Sequence, residues 1–597
     1  MNFYTDSKEW SYLFKNMVDW DAIIPIYYPS FPTEEGFNSK EEVISFFEEI
    51  LSNTGDWTAN KIAPRARKLD SVGSGQLVDG HVQITEPLKE LYEEAKNLEI
   101  FGLGVSKHYG GLGLPLIVPM IAFGQMNRAC ISSATQICFF TSIADMIERF
   151  GDEASKEKLI PKIVRGEISG SMCLTEPGAG SDVGSLRASA TKQADGTYHI
   201  NGTKIFITNG GGGLGLVLAR IKGAPEGLAG ISLFLAEEFI DENGTKKSNY
   251  KIGKIEEKMG LHGSMTCEVV YENTKAILMG KENEGFQIML HLMNEARLAV
   301  GMQTLGGMEA CLHFMRSYAE TRTQFGRPLT ELPLYKRNLE DYETERDAFR
   351  TLIVDTMSHF EFYQYFDMKE RTTNDLSDKE QKLYKEAKKI IRRRTPLVKA
   401  YGAETYTLFS QRAIQGLGGY GFMQEYDAER LHRDSFGPLL YEGTTQIQAL
   451  MAMKDLIKVV MKNPQKYFSV LIYTKTVGAL FNGKNEFEKK MFELNYEFKK
   501  NLAKLLIKCL RPQLDKNLAN IEKLFNLKSW QEQKGIESLM MHAETLQQAL
   551  SYIEVLSILA QHAEKDAPRA DLFYRYQRLV QPRLAGIYTD WKLFKHN

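Results

Sequence analysis

The sequence predicts a mostly α-helical protein with one β domain set in its middle. Apolar residues recur at three- and four-residue spacing over most of the chain, the period of amphipathic helices. Between about residues 170 and 280 that pattern gives way to alternation punctuated by turn dipeptides, the mark of short antiparallel strands. Length adds a third observation: 597 residues, 43% of them apolar, are enough for several cores, because single cores seldom grow past about 250 to 300 residues.

The elements follow in order. Residues 1–37 read as a helical extension, and MNFYTDSKEWSYLFKNMVDWDA has early acidic residues and no unbroken apolar core, so it is not expected to be a secretory signal. Residues 38–168 form a helical domain, with periodic runs such as EEVISFFEEILSNT and ASKEKLIPKIVRG. In 169–280, Asp195-Gly196 separates SLRASATKQ from TYHI and Asn201-Gly202 separates that strand from TKIFITN, with LVLARI, GISLFLAEE and CEVVYEN as further strands. A β-barrel-like middle domain is expected here. Residues 281–465 carry a long helix from Asn283 to about Glu320, the loop TQFGRPL, and helices near 333–367, 378–415 and 443–462. Long antiparallel helices with short loops make a four-helix bundle. Beyond 466, KKMFELNYEFKKNLAKLLIKCL and ESLMMHAETLQQALSYIEVLSILAQHA predict an additional helical domain without a catalytic motif.

Composition narrows the function classes. A formal net charge of -2 creates no global basic field, so nucleic acid is not an expected partner. The run KEAKKIIRRRTPLVK (385–399), with Lys385, Lys388, Lys389, Arg392, Arg393, Arg394 and Lys399, reads as a solvated helix face or a support for cofactor phosphates. Cys130, Cys138, Cys173, Cys267, Cys311 and Cys509 show no C-x-x-C and no metal-ligand spacing, so a reducing compartment and no metal are expected. No window approaches the roughly 20 uncharged apolar residues of a membrane span. A cytoplasmic protein with no integral membrane segment is the expectation.

Two stretches match G-x-G-x-x-G: Gly210, Gly212 and Gly215, then Gly416, Gly418 and Gly421. The first lies between strands and the second follows a helix, whereas the dinucleotide fingerprint needs a strand feeding a helix. Neither predicts a Rossmann domain.

Four segments carry a different chemistry: LTEPGAGSD (174–182), KIFITNG (204–210), RTQFG (322–326) with QGLGGYGF (415–422), and RDSFGPLLYEGTTQIQ (433–448). Glu442 stands in a loop just before the helix TTQIQALMAMKDLI, where Gly443 permits close backbone approach and a carboxylate can enter a cleft. The plainer alternative is a first-turn acid that complements the helix dipole. LTEPGAGSD offers closely spaced backbone N–H groups with the Thr175 and Ser181 hydroxyls, donors suited to phosphate, carbonyl and ring-nitrogen acceptors. Together, and in this order, the segments resemble the acyl-CoA dehydrogenase family over about residues 40–465. The extra carboxyl-terminal helices resemble that family's large bacterial branch, which includes methylmercaptopropionyl relatives.

The resemblance implies an FAD enzyme that oxidises an acyl-CoA thioester to the trans-2-enoyl-CoA and passes electrons to an electron-transfer flavoprotein. Glu442 matches the catalytic base. Met172, Leu174, Thr175, Gly180, Ser181, Phe206 and Thr208 match flavin contacts, with Phe206 where the family often has Trp. Phe206 taken alone reads equally as an inward-facing strand aromatic. Arg322, Phe325, Gln415 and Gly419 match positions that hold the adenosine diphosphate half of FAD on the neighbouring subunit, which implies a homodimer, and Thr444 and Gln446 match further FAD positions. Ser181, Arg297, Tyr441, Glu442 and Gly443 match substrate positions. Of these, Arg297 can face CoA phosphates or be a helix-surface cation. A second family position for the base falls on Ala296, with Glu295 one residue earlier; a helix turns about 100° per residue, so Glu295 is expected to point elsewhere. Acyl-CoA oxidase and a DNA-associated lesion-response member of the same fold are the alternatives. Chain length, branching and thioether content of the acyl group stay open.

Overall fold

The computed structural model describes residues 1–462, 467, 469, 471, 485–510 and 533–594. The first two helices, α1 (Lys8–Asn16) and α2 (Trp20–Tyr27), start where Ser7 and Asp19 accept from backbone N–H groups of their first turns. Trp10 anchors α1, since it is buried and its indole Nε1 donates to Glu309 Oε1 at 3.0 Å. Helices α3 (Lys40–Trp57), α4 (Ala63–Val72), α5 (Glu86–Asn97), α6 (Ile117–Ala129), α7 (Ile131–Phe150) and α8 (Glu153–Val164) complete the amino-terminal helical region. α6 is buried on almost every side, and α7 on all but one stripe. The strands β1 (Gly75–Val78) and β2 (His81–Ile84) form a hairpin inside this region that helical periodicity does not announce.

The middle region holds β3 (Ser169–Cys173), β4 (Ser189–Lys192), β5 (Tyr198–Thr208), β6 (Gly213–Ile221), β7 (Ile231–Glu237), β8 (Phe239–Glu242), β9 (Thr245–Ser248), β10 (Lys251–Ile255) and β11 (Thr266–Met279). β5 pairs with β4, β4 with β6, β6 with β7, β7 with β11, and β11 with β5, so the sheet closes on itself like a barrel. Asp195-Gly196 is the predicted turn, but Asn201-Gly202 is not: it runs inside β5. Gly202 has φ 150°, and a Cβ there would stand 2.9 Å from Ala188 Cα, so this glycine serves a close strand crossing rather than a reversal.

The bundle consists of α9 (Gly285–Thr321), α10 (Pro333–Thr373), α11 (Asp378–Leu417) and α14 (Thr445–Lys462), with α12 (Ala428–Ser435) and α13 (Gly437–Leu440) leading into α14. A capping box between Ser377 and Glu380 starts α11. α9 packs closely on α6 because Gly306 leaves no side chain there; a Cβ would lie 2.6 Å from Gly124 O. Asp434 Oδ1 accepts from Leu261 N at 2.6 Å and ties the bundle to the β domain.

Helices Glu486–Leu510, Gln533–Met540, Ala543–Lys565 and Arg569–Leu593 follow, and the periodic run expected as one helix over 537–563 breaks at Met541–His542. They lie against the bundle through a two-pronged ion pair, Arg583 to Glu345 at 2.6 and 3.0 Å, and through Arg394 to Glu554 at 2.6 Å.

Candidate active site

The short helix α13 ends at Leu440 and α14 begins at Thr445, leaving Tyr441, Glu442, Gly443 and Thr444 as a tight link. Glu442 has φ 55° and Gly443 φ 83°, so two consecutive residues sit in the left-handed region. For glutamate that conformation costs on the order of 1–3 kcal/mol and is kept only where the surroundings enforce it. Gln448, buried one turn into α14, does so: its Nε2 donates to Glu442 O at 2.9 Å and to Gly443 O at 3.2 Å. A Cβ on residue 443 would stand 2.7 Å from that same nitrogen, which explains the glycine. Tyr441 closes the other side, donating to Gln303 Oε1 at 2.6 Å, while Gln303 Nε2 donates to Thr135 Oγ1 of α7 at 2.8 Å.

Two buried cations act on the Glu442 carboxyl, neither of them as an ion pair within 4 Å. Arg297 of α9 is 3% exposed and Lys399 of α11 is 0% exposed. Burial pushes the Glu442 carboxyl above the ordinary carboxylate range, and Arg297 and then Lys399 oppose that shift. Arg297 is therefore not a helix-surface cation: it is buried inside the bundle, where its Nη1 donates to Asn294 Oδ1 at 3.1 Å.

Glu295 has a different environment. Its carboxyl accepts from Gln364 Nε2 at 2.7 Å, and burial and then Asp145 push it well above the ordinary range against Arg149. Its neighbours come from α7 and α10, whereas the cations beside Glu442 come from α9 and α11. The α7 thiol Cys138 feels both carboxylates, so α7 runs past the two in turn.

The LTEPGAGSD loop is organised by Glu176, whose buried carboxylate accepts from Arg187 N at 2.6 Å, Ala188 N at 3.1 Å and Lys204 Nζ at 2.6 Å. Lys204 also donates to Leu174 O at 3.0 Å, and Ile205 N to Thr175 O at 2.9 Å, which joins this loop to KIFITNG. Met172, Leu174, Thr175 and Thr208 are half-buried around that junction, and Gly180 and Ser181 are exposed. Phe206 does not face inward: it is 62% exposed with φ 60°, at a register shift between β5 and β11. The bulge turns its ring out of the sheet. An exposed aromatic face beside a glycine-rich loop of open backbone N–H groups fits a planar, phosphate-bearing cofactor.

Arg322, Phe325, Gln415 and Gly419 lie together elsewhere. Arg322 ends α9 and Phe325 tips a small hairpin, 90% exposed with φ 51°. Gln415 and Gly419 are exposed at the end of α11, and Tyr318 and Tyr420 bring the two helix ends together with ring centroids 6.0 Å apart. Thr444 caps α14, its Oγ1 accepting from Ile447 N at 3.2 Å, and Gln446 points outward. Sequence reasoning missed Gln448, Gln303 and the Glu176–Lys204 pair, and it placed Lys399 with a solvated run. Only Gln448 left a readable sign, a polar residue on the buried side of an apolar helix.

The chain matches family models for the acyl-CoA dehydrogenase N-terminal domain over residues 47–167, the middle domain over 171–274 and the C-terminal domain over 283–457. An acyl-CoA dehydrogenase of Bacillus subtilis is 34% identical over 362 residues, 60% of this chain and 87% of that protein. A 3-methylmercaptopropionyl-CoA dehydrogenase of Ruegeria pomeroyi is 32% identical over 416 residues, 67% of this chain and 68% of its own length. A crystal structure of an acyl-CoA dehydrogenase complexed with FAD from Bacillus anthracis shares the fold with a TM-score of 0.75 at 22% identity, covering 98% of this chain and 92% of that one. The likeness in fold therefore extends through the carboxyl-terminal helices.

Proposed function

The chain belongs to the acyl-CoA dehydrogenase family, FAD-dependent enzymes that oxidise acyl-CoA thioesters, and on that premise we propose that Glu442 is its catalytic base. The observation that carries this reading is the strained Glu442–Gly443 link, locked by Gln448, which fixes the glutamate at the start of α14. Two hydrogens leave the substrate. The Cα–H departs as a proton to the Glu442 carboxylate, and the Cβ–H departs as hydride, leaving a trans double bond conjugated with the thioester. FAD supplies the hydride acceptor when bound. Thr175, Ser181, Gly180 and Phe206 would hold its flavin end with Met172, Leu174 and Thr208, and Thr444 and Gln446 would contribute from the bundle. The Glu442 backbone N–H is a donor for the thioester oxygen as negative charge develops there. Tyr441 and Gly443 border the acyl group. Electrons then pass to an electron-transfer flavoprotein, a step supported by the family resemblance, and the place of such a reaction is fatty acid β-oxidation.

The test is anaerobic bleaching of the flavin by a panel of acyl-CoA thioesters. Glu442→Gln keeps size and hydrogen bonding but removes the base, so it should retain FAD and lose flavin reduction by orders of magnitude. Glu295→Gln should reduce its flavin close to the wild-type rate. Near-normal bleaching in the first with a large loss in the second moves the base to α9. Hydrogen peroxide formed stoichiometrically with product would make the enzyme an oxidase.

A further inference from the structure

Lys399 does not behave as the last member of a solvated basic run. Lys385, Lys388 and Lys389 are exposed, Arg392 pairs with Asp455, and Arg394 with Asp355 and Glu554. One turn further on, Lys399 is fully buried. An ammonium carries three donors and is strongly hydrated in water, so burying it demands compensation. Among the described residues its only hydrogen bond is to Leu439 O, at a long 3.4 Å. The remaining compensation is electrostatic, and Glu442, three residues beyond Leu439, is the principal opposite charge acting on it.

The charged and titratable groups that meet here come from every element packed around the link. α9 supplies Arg297, α11 supplies Lys399 and, further off, Glu404, α7 supplies the Cys138 thiol, and the link itself holds Tyr441 and Glu442. Arg297 donates one Nη1 hydrogen bond to Asn294 Oδ1 at 3.1 Å, while its Nε has no hydrogen-bond partner among the described residues. Both cations favour an ionised Glu442, and desolvation favours the neutral acid.

We propose that Lys399 is a positioning residue for the base: its buried ammonium fastens the Leu439 carbonyl and, with Arg297, keeps the Glu442 carboxylate ionised until a proton arrives. The proposal rests on Glu442 being that base. A base must start ionised and end neutral, and an efficient one titrates near the working pH. Burial raises the Glu442 carboxyl, and the two cations oppose that rise. Lys399 itself is pushed down to about 8 by burial against the pull of Glu442, so its charge is present at neutral pH.

The experiment follows the infrared band of the protonated Glu442 carboxyl through a pH titration of the FAD-loaded protein, the band being assigned by its loss in Glu442→Gln. Lys399→Gln keeps a donor for Leu439 O but removes the charge. Its Glu442 midpoint should rise by about one pH unit or more, a tenfold or greater change in the proton equilibrium, while Lys399→Arg should titrate near wild type. Lys399→Met, which keeps the stem's bulk, should show the same rise and stands in if Lys399→Gln does not fold. An unmoved midpoint in either neutral variant overturns the proposal and leaves Lys399 a structural plug. Flavin reduction that survives in Glu442→Gln sinks the reading of the base instead, whatever the midpoints show.

Discussion

Glu295, buried on α9, and Glu442, half-buried in the link before α14, meet different fates because of their immediate neighbours. Burial raises both, but Arg297 and Lys399 oppose the rise at Glu442, whereas Asp145 adds to it at Glu295. Nearby Glu361, fully buried and bonded to Tyr27, is pushed up to about 7 by the same desolvation. An acid whose folded pKa is raised binds more protons in the native than in the unfolded state, so its contribution falls as pH rises from the ordinary carboxylate range through the folded value. The wild-type thermal midpoint should therefore drop between about pH 5 and 7 and above, and Glu295→Gln should flatten that slope and be the more stable protein at alkaline pH. Calorimetry across this range checks it; an unchanged slope would mean that Glu295 is ionised in the fold. At this scale the site was only partly legible. Glu442 stood out by its loop and its glycine, but Lys399 looked like any lysine in a basic run, because depth along a helix that changes from exposed to buried cannot be read from charge alone.

At the scale of elements, β5 shows why the flavin-segment aromatic was ambiguous. Alternation along a regular strand would place Phe206 opposite Ile205 and Ile207, but the register shift against β11 between Cys267 and Val269 rotates it outward at φ 60°. No residue in KIFITNG announces a bulge, and Asn201-Gly202, which looked like a turn, is strand instead. The long helices α9, α10 and α11 were legible because forty residues of three-four periodicity admit one reading. The β1–β2 hairpin was not, since its four-residue strands are too short for alternation to register. Because the Phe206 ring is exposed in this chain, removing it should leave the fold intact and weaken the cofactor alone. Phe206→Ala should release FAD about tenfold more readily, in line with about 1.4 kcal/mol for a lost aromatic contact, and Phe206→Trp should keep it. Flavin retention on dilution measures this; a fall in thermal midpoint of the flavin-free Phe206→Ala protein would assign the ring a packing role.

The whole molecule is asymmetric in what it covers. The carboxyl-terminal helices occupy one flank of the bundle, where Tyr401 and Tyr576 hydrogen bond at 3.0 Å and Arg569 reaches back to Glu9 of the amino-terminal extension at 2.7 Å. That flank is covered by the chain's own helices. The other end of the bundle is open: Phe325, Phe422 and Tyr420 are exposed around Arg322, Gln415 and Gly419. Exposed aromatics grouped with an arginine that has no ion pair among the described residues gain from a partner surface. A dimer in which each subunit lent these residues to the other's adenosine diphosphate would supply one, and it would make cofactor affinity and assembly a single linked equilibrium. Phe325→Asp should therefore yield monomers that lose FAD as they form, with the loss reversed by raising protein concentration, whereas Phe206→Ala should lose FAD while remaining dimeric. Light scattering with flavin absorbance on the same samples separates the two. Monomeric Phe325→Asp that keeps its flavin at low concentration would place the whole cofactor site within one chain, and tetramers of the wild type would mean that assembly uses a surface other than the flank its own helices cover.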